Sequence, residues 1–510
     1  MSLDLNIDQI LEAAESKMRS GERSDARRLL LLLKDHAKGR SLVRAKRSVA
    51  ASLARRAGLL PLAMQIMSPI VRPKTPLSPP LTAEELATYG LILLGLGAHE
   101  ECDHVLNQAD PTHPEVLIAK AFAKIRTWNY REAIGYLESY IQNPTLNSYQ
   151  RMIAMVNLAA SLVAVAELQR GRSLLETILV ETKKAAWSLL HRNGLELLAQ
   201  IAVQEDRLQE AREILEKLAS TEDDLFVQKW LTIARLRETP NSQLTQDATL
   251  ALQSHAARIN HWETVRDCDY HLALARKDPA LMLKVYFGTP YRSYRERIRE
   301  TTSDWLKIPS TYSMTLLGLP PPSRVFDLRS ASEVHPSEID RSDVRLPKER
   351  VLHKALKTLT SDLYRPFMVG SLHSSIYPGE HFNYASSPQR IAFLIHRLRA
   401  WLDENGIPLD ILNNRDGYRL APDDQYGFQY HDHLRQDDVT AQEPTQYQLY
   451  HVWLESLSPL KGKAFSVHDV AAQLQIADRT ARYFLSWATE ESLLQRLGAG
   501  RGIRYRFSDI

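Results

Sequence analysis

The chain has 510 residues, of which 44% are apolar and 25% charged, and its formal net charge is +3. A chain of this length can form about two to four domains, each with its own core. The small net charge does not by itself indicate a nucleic-acid binder. Whether the chain binds nucleic acid therefore has to be judged from where its basic residues lie. No apolar run is long enough to cross a membrane. Cys102 and Cys268 match no metal or disulfide spacing, and the N-terminus is acidic where a signal peptide would be basic. We therefore expect a cytoplasmic protein.

Residues 1–300 contain many amphipathic helical windows and few strand-like alternations. The clearest helix pair is "HPEVLIAKAFAKIRTWNYREAIGYLESYIQNP", residues 113–144. Its second helix carries Tyr130, Ala133 and Leu137 and is closed by Pro144. The small Ala133 lets the paired helix approach closely, and the proline ends the helix. This second helix resembles that of a tetratricopeptide repeat.

Comparable second helices recur along the array and align on one small residue. These residues are Ala26, Ala63, Cys102, Ala133, Gly171 and Ala211, at spacings of 37, 39, 31, 38 and 40 residues. A further pair within residues 247–278 is predicted to close the array. A stack of helix pairs leaves a curved surface that usually holds a peptide, a protein partner or another domain. A purely structural array is the alternative.

Residues 20–57 are the most basic part of the array, with eleven Lys and Arg against three acids. This excess would suit an acidic partner or nucleic acid. A solvated helix face that is balanced by acids elsewhere in the array is the other interpretation.

Three consecutive prolines, in "GLPPPSRVF", forbid helix continuation and predict a stiff linker over residues 301–323. Beyond them "SRVFDLRS" alternates like a strand, and "LPKERVLHKALKTLTSDLY" begins a helix. A short helix and the polar loop "YPGEHFNYASS" follow. The architecture therefore changes here from repeats to a mixed domain, predicted to span residues 324–424.

The stretch "SPQRIAFLIHRLRAWLDENGIPLDILNNRDGYRLAP", residues 387–422, predicts a helix followed by a hairpin. One helix face carries an apolar stripe: Ile391, Leu394, Ile395, Leu398 and Leu402. The other carries Gln389, Arg390, Phe393, His396, Arg397 and Ala400. A major groove accepts such a polar face, because Arg can pair with guanine and Gln with adenine. In the hairpin, Arg415 and Arg419 are predicted to reach phosphates, and Gly417 tolerates the positive φ of the turn.

The segments "IAFLIHRLRAWL" and "NNRDGYRLAP" resemble the recognition helix and wing of an OmpR-type winged helix. The resemblance implies that Arg390, His396 and Arg397 face bases or phosphates, and Arg399, which occupies a matched helix position, is a further predicted DNA-binding residue. It also implies that the loop "YPGEHFNYASS" can contact RNA polymerase. The chain departs from that family in two ways: no receiver domain precedes the segment, and Ala400–Trp401 replace commonly basic positions. The domain has fourteen basic and fourteen acidic residues, so use for protein contact remains an alternative.

Residues 444–510 repeat this plan after a polar linker predicted over residues 425–443. Core positions are predicted at Val470, Ala471, Leu474, Ile476, Ala481, Leu485 and Ala488, with Asp478 as the N-cap of the second helix. The predicted outward residues are Arg479, Thr480, Arg482, Tyr483 and Ser486 on the helix and Arg501, Arg504 and Arg506 on the wing. The segment resembles the helix-turn-helix with a Gly-Arg-Gly wing found in many bacterial regulators.

The expected fold is mainly α: a helical tetratricopeptide-like solenoid followed by two small α+β winged-helix domains. Because no Walker loop or GxGxxG, HExxH or GxSxG pattern occurs, we expect no enzymatic activity, no cofactor and no metal. The leading hypothesis is a bacterial transcription regulator. Its array would sense or recruit a protein partner, and its tandem winged helices would bind double-stranded promoter DNA, with RNA polymerase as a further candidate partner. The alternative is a non-enzymatic assembly scaffold.

Overall fold

The chain divides into two compact units, Met1–Tyr377 with His381–Arg435, and Gln436–Ile510 with Pro378–Glu380. The computed structural model describes residues 6–19, 22–34, 42–72, 79–219, 224–320, 324–334, 344–414, 417–432, 450, 453–474, 476, 478–490, 493–498 and 502–508. No helix in these ranges is long and apolar enough to span a membrane.

The first unit opens with a long series of helices. In chain order they are α1 (Ile7–Arg19), α2 (Arg23–Leu31), α3 (Arg44–Arg56), α4 (Leu60–Val71), α5 (Ala83–Leu96), α6 (His99–Asn107), α7 (Pro114–Arg126), α8 (Tyr130–Ile141), α9 (Ser148–Ala164), α10 (Leu168–Lys184), α11 (Ser188–Gln204), α12 (Leu208–Ala219), α13 (Leu225–Glu238), α14 (Gln243–Arg258), α15 (Trp262–Arg276), α16 (Pro279–Phe287) and α17 (Arg292–Thr302). Consecutive helices pack against each other, which confirms the predicted repeat array.

The six small residues used to align the repeats occupy equivalent positions. Each is the fourth residue of its helix (α2, α4, α6, α8, α10 or α12), and each is buried. A larger side chain at these buried positions would push the paired helix away. The predicted last pair corresponds to α14 and α15.

The turns between paired helices share one backbone conformation. A residue with positive φ stands two positions before the second helix, for example Gly97 (φ 85°) before α6 and Trp128 (φ 60°) before α8. The next amide donates to a carbonyl five residues back, as Asn129 N does to Lys124 O over 2.8 Å. This is the Schellman arrangement, which satisfies the last carbonyls of a helix and reverses the chain in a few residues.

A sheet and three helices follow the array within the first unit. The strands β1 (Thr311–Thr315), β2 (Arg324–Asp327), β3 (Ser332–Val334) and β6 (Tyr426–His431) form a sheet in the order β1-β6-β2-β3. Between β3 and β6 lie α18 (Val351–Ser361), α19 (Val369–Ile376), α20 (Ser387–Glu404) and the hairpin β4 (Ile411–Asn414) and β5 (Gly417–Leu420). Phe367 pairs with Tyr418 of β5, which completes a winged-helix topology.

Two segments predicted as linkers contain strands instead. β1 lies within residues 301–323, and β6 lies within residues 425–443. β6 is antiparallel to β1 and parallel to β2, so Phe428 faces Met314 on one side and Phe326 on the other. All three side chains are fully buried. The prolines and polar residues of these segments predicted linkers. The strands themselves could not be predicted, because the partners of each strand are more than 100 residues away in sequence.

The second unit has the same helix–hairpin arrangement as the first winged helix. It contains α21 (Val467–Leu474), α22 (Asp478–Glu490) and the hairpin β7 (Leu494–Leu497) and β8 (Arg504–Phe507), and Phe465 pairs with Tyr505. The predicted core residues Val470, Ala471, Ala481, Leu485 and Ala488 are buried. Asp478 is the first helical residue rather than the N-cap, and its carboxylate lies 3.0 Å from Nδ1 of His468.

Candidate nucleic-acid interface

Helix α20 presents the predicted polar face to solvent. Its apolar stripe is buried, whereas the following predicted contact residues are exposed: Gln389, Arg390, Phe393, His396 and Arg397. Pro388 in the first turn suits a helix start, because its missing N–H has no intrahelical acceptor there. The Ser387 hydroxyl accepts a hydrogen bond from Asn383 N over 2.9 Å and anchors the preceding loop. This face is therefore open to solvent, where a ligand could reach it.

Two arginines of this helix are partly engaged within the domain. The Arg390 guanidinium lies 3.5 Å from the centroid of the Tyr377 ring. Arg399 donates to the Ile411 carbonyl and lies 3.9 Å from the Asp410 carboxylate, so it supports the start of the wing. Arg397, also on this face, is exposed.

The wing departs from the prediction. The guanidinium of Arg419 lies 5.4 Å from the centroid of the Trp262 ring on α15, and its Nε is buried without a hydrogen-bond partner. We therefore correct the prediction that Arg419 reaches phosphates: it packs against the array. Arg415 lies outside the described residues. Asn413 and Asn414 are exposed on β4.

The loop predicted to contact RNA polymerase is attached to the repeat array instead. Phe382 is buried in the core of the N-terminal helices. Its backbone N–H donates to Glu101 on α6 over 2.7 Å, and Nδ1 of His381 lies 3.2 Å from the same carboxylate. Gln65 donates to the Tyr384 hydroxyl over 3.1 Å. Helix α19 packs against α5 and α6.

A second set of contacts joins the winged helix to the last helices of the array. Arg266 of α15 donates to both carboxylate oxygens of Asp362, each over 2.9 Å, and both side chains are almost fully buried. The hydroxyl of Tyr364 donates to Asp269 over 2.8 Å. The first winged helix is therefore bound to two distant parts of the array, which the sequence did not predict because these polar residues follow no periodicity.

The contacts of Glu101 are expected to make the stability of the folded protein depend on pH, with a loss of stability in acid. Burial raises the pKa of Glu101, but hydrogen bonds from His381 and Phe382 N and the charge of Arg72 outweigh it and lower the pKa to about 2. A depressed folded-state pKa stabilises the fold above the unfolded value, and this stabilisation is lost as pH falls through the folded value. We expect Glu101 to contribute roughly 3 kcal/mol that disappears between about pH 4.5 and 2.

Urea unfolding of the wild type and of Glu101→Gln at pH 7 and pH 3 would measure this contribution. The variant should be less stable at pH 7 and show a smaller loss at pH 3. Glu176→Gln, on the exposed surface of α10, is the matched control and should follow the wild type. Equal pH dependence in wild type and Glu101→Gln would contradict the prediction.

The second unit exposes a compact set of basic side chains. Arg482, Tyr483 and Ser486 are exposed on α22, and Arg496, Arg504 and Arg506 are exposed on the hairpin, while Thr480 is half-buried. The Arg504 guanidinium lies 3.7 Å from Asp469, and Arg506 donates to Gln495 over 3.4 Å. Such exposed contacts are weak and can exchange for phosphates. Arg501 and the side chain of Arg479 lie outside the described part of the chain.

Some basic residues of the stretch 20–57 make contacts within the array. Arg44 pairs with Glu85 at 2.6 Å and donates to two proline carbonyls, and the buried Arg47 donates to the Ile66 carbonyl over 2.7 Å. Exposed arginines remain on α2 and at the end of α3. Among the described residues, no group of His, Cys, Asp or Glu side chains could hold a metal ion.

Fold and surface define the chain as a tetratricopeptide-like helical array that carries two winged helices. No family model matches this chain, and comparison with curated proteins finds no match. Among solved structures, the chain is similar to one described as "Human IFIT1 dimer with m7Gppp-AAAA", at 14% identity and a TM-score of 0.29, over 60% of this chain and 69% of that one.

Proposed function

We propose that this protein is a DNA-binding transcription regulator whose second winged helix supplies the principal contacts with duplex DNA. The observation that carries the proposal is the exposed basic surface of α22 and the β7–β8 hairpin. Helix–hairpin surfaces of this kind place a helix in the major groove and arginines on phosphates. The role is one of binding rather than catalysis.

The first winged helix contributes less to DNA binding in this proposal. Its helix face is exposed at Gln389, His396 and Arg397, but its wing arginine Arg419 lies against Trp262. Its attachment to α5, α6 and α15 favours a second role, as the element that holds two distant parts of the array together. This is the protein-contact function of the scaffold hypothesis, confined to one domain.

A salt titration of DNA binding tests the proposal. The full chain should bind random-sequence duplex DNA, with log K falling linearly with log salt concentration. Arg482→Ala/Arg504→Ala/Arg506→Ala should weaken binding at least about 10-fold and reduce the slope by about 0.9 for each phosphate that the variant no longer neutralises. Arg397→Ala should have a smaller effect.

Arg258→Ala is the control, because this exposed arginine of α14 lies on the array and should leave affinity and slope unchanged. Binding of the triple variant with the wild-type slope would refute the assignment to α22 and the hairpin. A larger loss in Arg397→Ala than in the triple variant would move the principal contacts to the first winged helix.

A further inference from the structure

Among the described residues of the basic stretch 20–57, helix α2 carries the largest exposed group of cations. The cations of α3 are mostly engaged within the array: Arg44 and Arg47 bind as described above, and Lys46 pairs with Asp8 at 2.6 Å. The three arginines of α2, by contrast, are exposed to solvent. The face of α2 that carries them takes no part in the proposed DNA contacts, so it is available for another interaction.

Helical spacing arranges this face in two adjacent rows, because residues four apart lie one above the other. All six residues of the rows are exposed, and together we call them the α2 face: Arg23, Arg27 and Leu31 in one row, and Ser24, Arg28 and Leu32 in the other. The opposite side of the helix carries Ala26 and Leu30, which are fully buried. Arginines therefore occupy the first two turns of the α2 face and leucines the last turn, over a length of roughly 13 Å.

The two leucines of the α2 face are exposed because of the geometry of the helix. Residues 29–33 are consecutive leucines, and at about 100° per residue they cannot all face the core. Leu30 and Leu33 are fully buried, whereas Leu31 is 48% and Leu32 46% exposed. A single exposed leucine needs no explanation. Two that adjoin each other and three arginines form a surface that combines apolar area with positive charge.

Nearby carboxylates leave most of the positive charge of the α2 face uncompensated. Glu22 accepts a hydrogen bond from Nζ of Lys17 over 2.6 Å. Asp25 lies 3.3 Å from the guanidinium of Arg28, whose side chain is 81% exposed. Neither of the other two arginines of the α2 face forms an ion pair with a described residue. Because such an exposed pair contributes little and can exchange, the face favours an anionic partner.

We propose that the α2 face docks a short segment of a partner protein that carries acidic residues at one end and apolar residues at the other. The carboxylates pair with the arginines of the first two turns, and the apolar side chains cover Leu31 and Leu32. A nucleic-acid backbone would satisfy the arginines but leave the leucines uncovered, so charge and apolar area together favour a peptide. This protein contact is separate from the proposed DNA binding, since α2 and α22 belong to different units.

The test is a fluorescence-anisotropy titration of the full chain, in the absence of DNA, with a labelled synthetic peptide of Asp and Glu followed by Leu and Phe. The wild type should bind this peptide, and a peptide of equal charge with serine in place of Leu and Phe should bind at least about 10-fold more weakly. Leu31→Ser/Leu32→Ser should lower the affinity for the first peptide at least about 10-fold, because it removes the apolar contact and keeps the charge. Arg23→Ala/Arg27→Ala should lower this affinity to a similar extent and reduce its salt dependence.

Leu244→Ser is the matched control, because it replaces a leucine of α14 that is 80% exposed and should leave peptide affinity unchanged. Leu31→Ser/Leu32→Ser should bind duplex DNA like the wild type, so this proposal and the DNA-binding proposal can fail independently. Wild-type peptide affinity in that variant, or equal binding of the two peptides, would show that the α2 face responds to negative charge alone, as it would to a nucleic acid, and overturns the proposal. The absence of any binding to the acidic peptide overturns it as well.

Discussion

Replacement of Asp362 with alanine is expected to destabilise the first unit by about 3–5 kcal/mol. The change leaves the guanidinium of Arg266 almost fully buried without its bidentate partner. Burial lowers the pKa of Arg266, but the charges of Asp362 and Glu263 outweigh it and hold that pKa above its usual range, so the arginine stays charged. Glu263 remains 3.3 Å from the guanidinium, but the loss of one partner of a buried ion pair is among the most costly single defects. Urea unfolding of the full chain, followed by far-UV circular dichroism, measures the effect.

The double variant Arg266→Met/Asp362→Leu is the matched control. It removes both charges together, and methionine can fill the space among Tyr291, Tyr294 and Tyr364, whose rings surround the guanidinium. Apolar replacement of a whole buried pair is often neutral, so most of the stability should return. A single variant within about 1 kcal/mol of the wild type would show that the pair is not the buried contact described above.

Gly370→Ala is expected to separate α19 from the array. A Cβ at this position would lie 2.1 Å from the Leu96 carbonyl oxygen and 3.1 Å from the Ala98 amide nitrogen. These are backbone atoms of the turn between α5 and α6, which cannot rotate away as a side chain can. We expect a loss of about 1–3 kcal/mol and faster proteolytic cleavage near residues 381–384, because the Glu101 attachment adjoins the strained contact.

Gly135→Ala provides the comparison for this prediction. Gly135 lies within α8 with no atom within 4 Å of an added Cβ, so alanine there should stabilise the helix by up to about 1 kcal/mol. The two variants make the same chemical change with opposite expected signs. Similar melting temperatures and cleavage rates for Gly370→Ala and the wild type would contradict the close contact between α19 and the array.

Much of the candidate interface could be predicted from sequence, because periodicity reports which helix face is buried. The stripe from Ile391 to Leu402 predicted the buried face of α20, and Arg397 on the opposite side is exposed. On the wing of the second unit, Arg504 and Arg506 were likewise predicted to point outward, and both are exposed. The period of such a pattern depends only on the geometry of the helix or strand that carries it, so it can be recognised from neighbouring residues alone.

The contacts that Arg419 and the loop after α19 make with the array could not be predicted in this way. Arg419 alternates with buried Tyr418 and Leu420, which normally places a side chain in solvent, but Trp262 lies there. The loop is polar, yet Phe382 enters the core of the N-terminal helices and Glu101 binds its backbone. Both outcomes depend on residues more than 150 positions away along the chain.

The sequence by itself determined the repeat array, its small-residue positions and the two helix–hairpin modules, since each follows from short-range periodicity and turn chemistry. Only the tertiary structure decided that β1 and β6 join one sheet and that the first winged helix is bound to both α6 and α15. The physical reason is that buried ion pairs and strand pairings specify their partners by shape and charge in three dimensions, which no local pattern records.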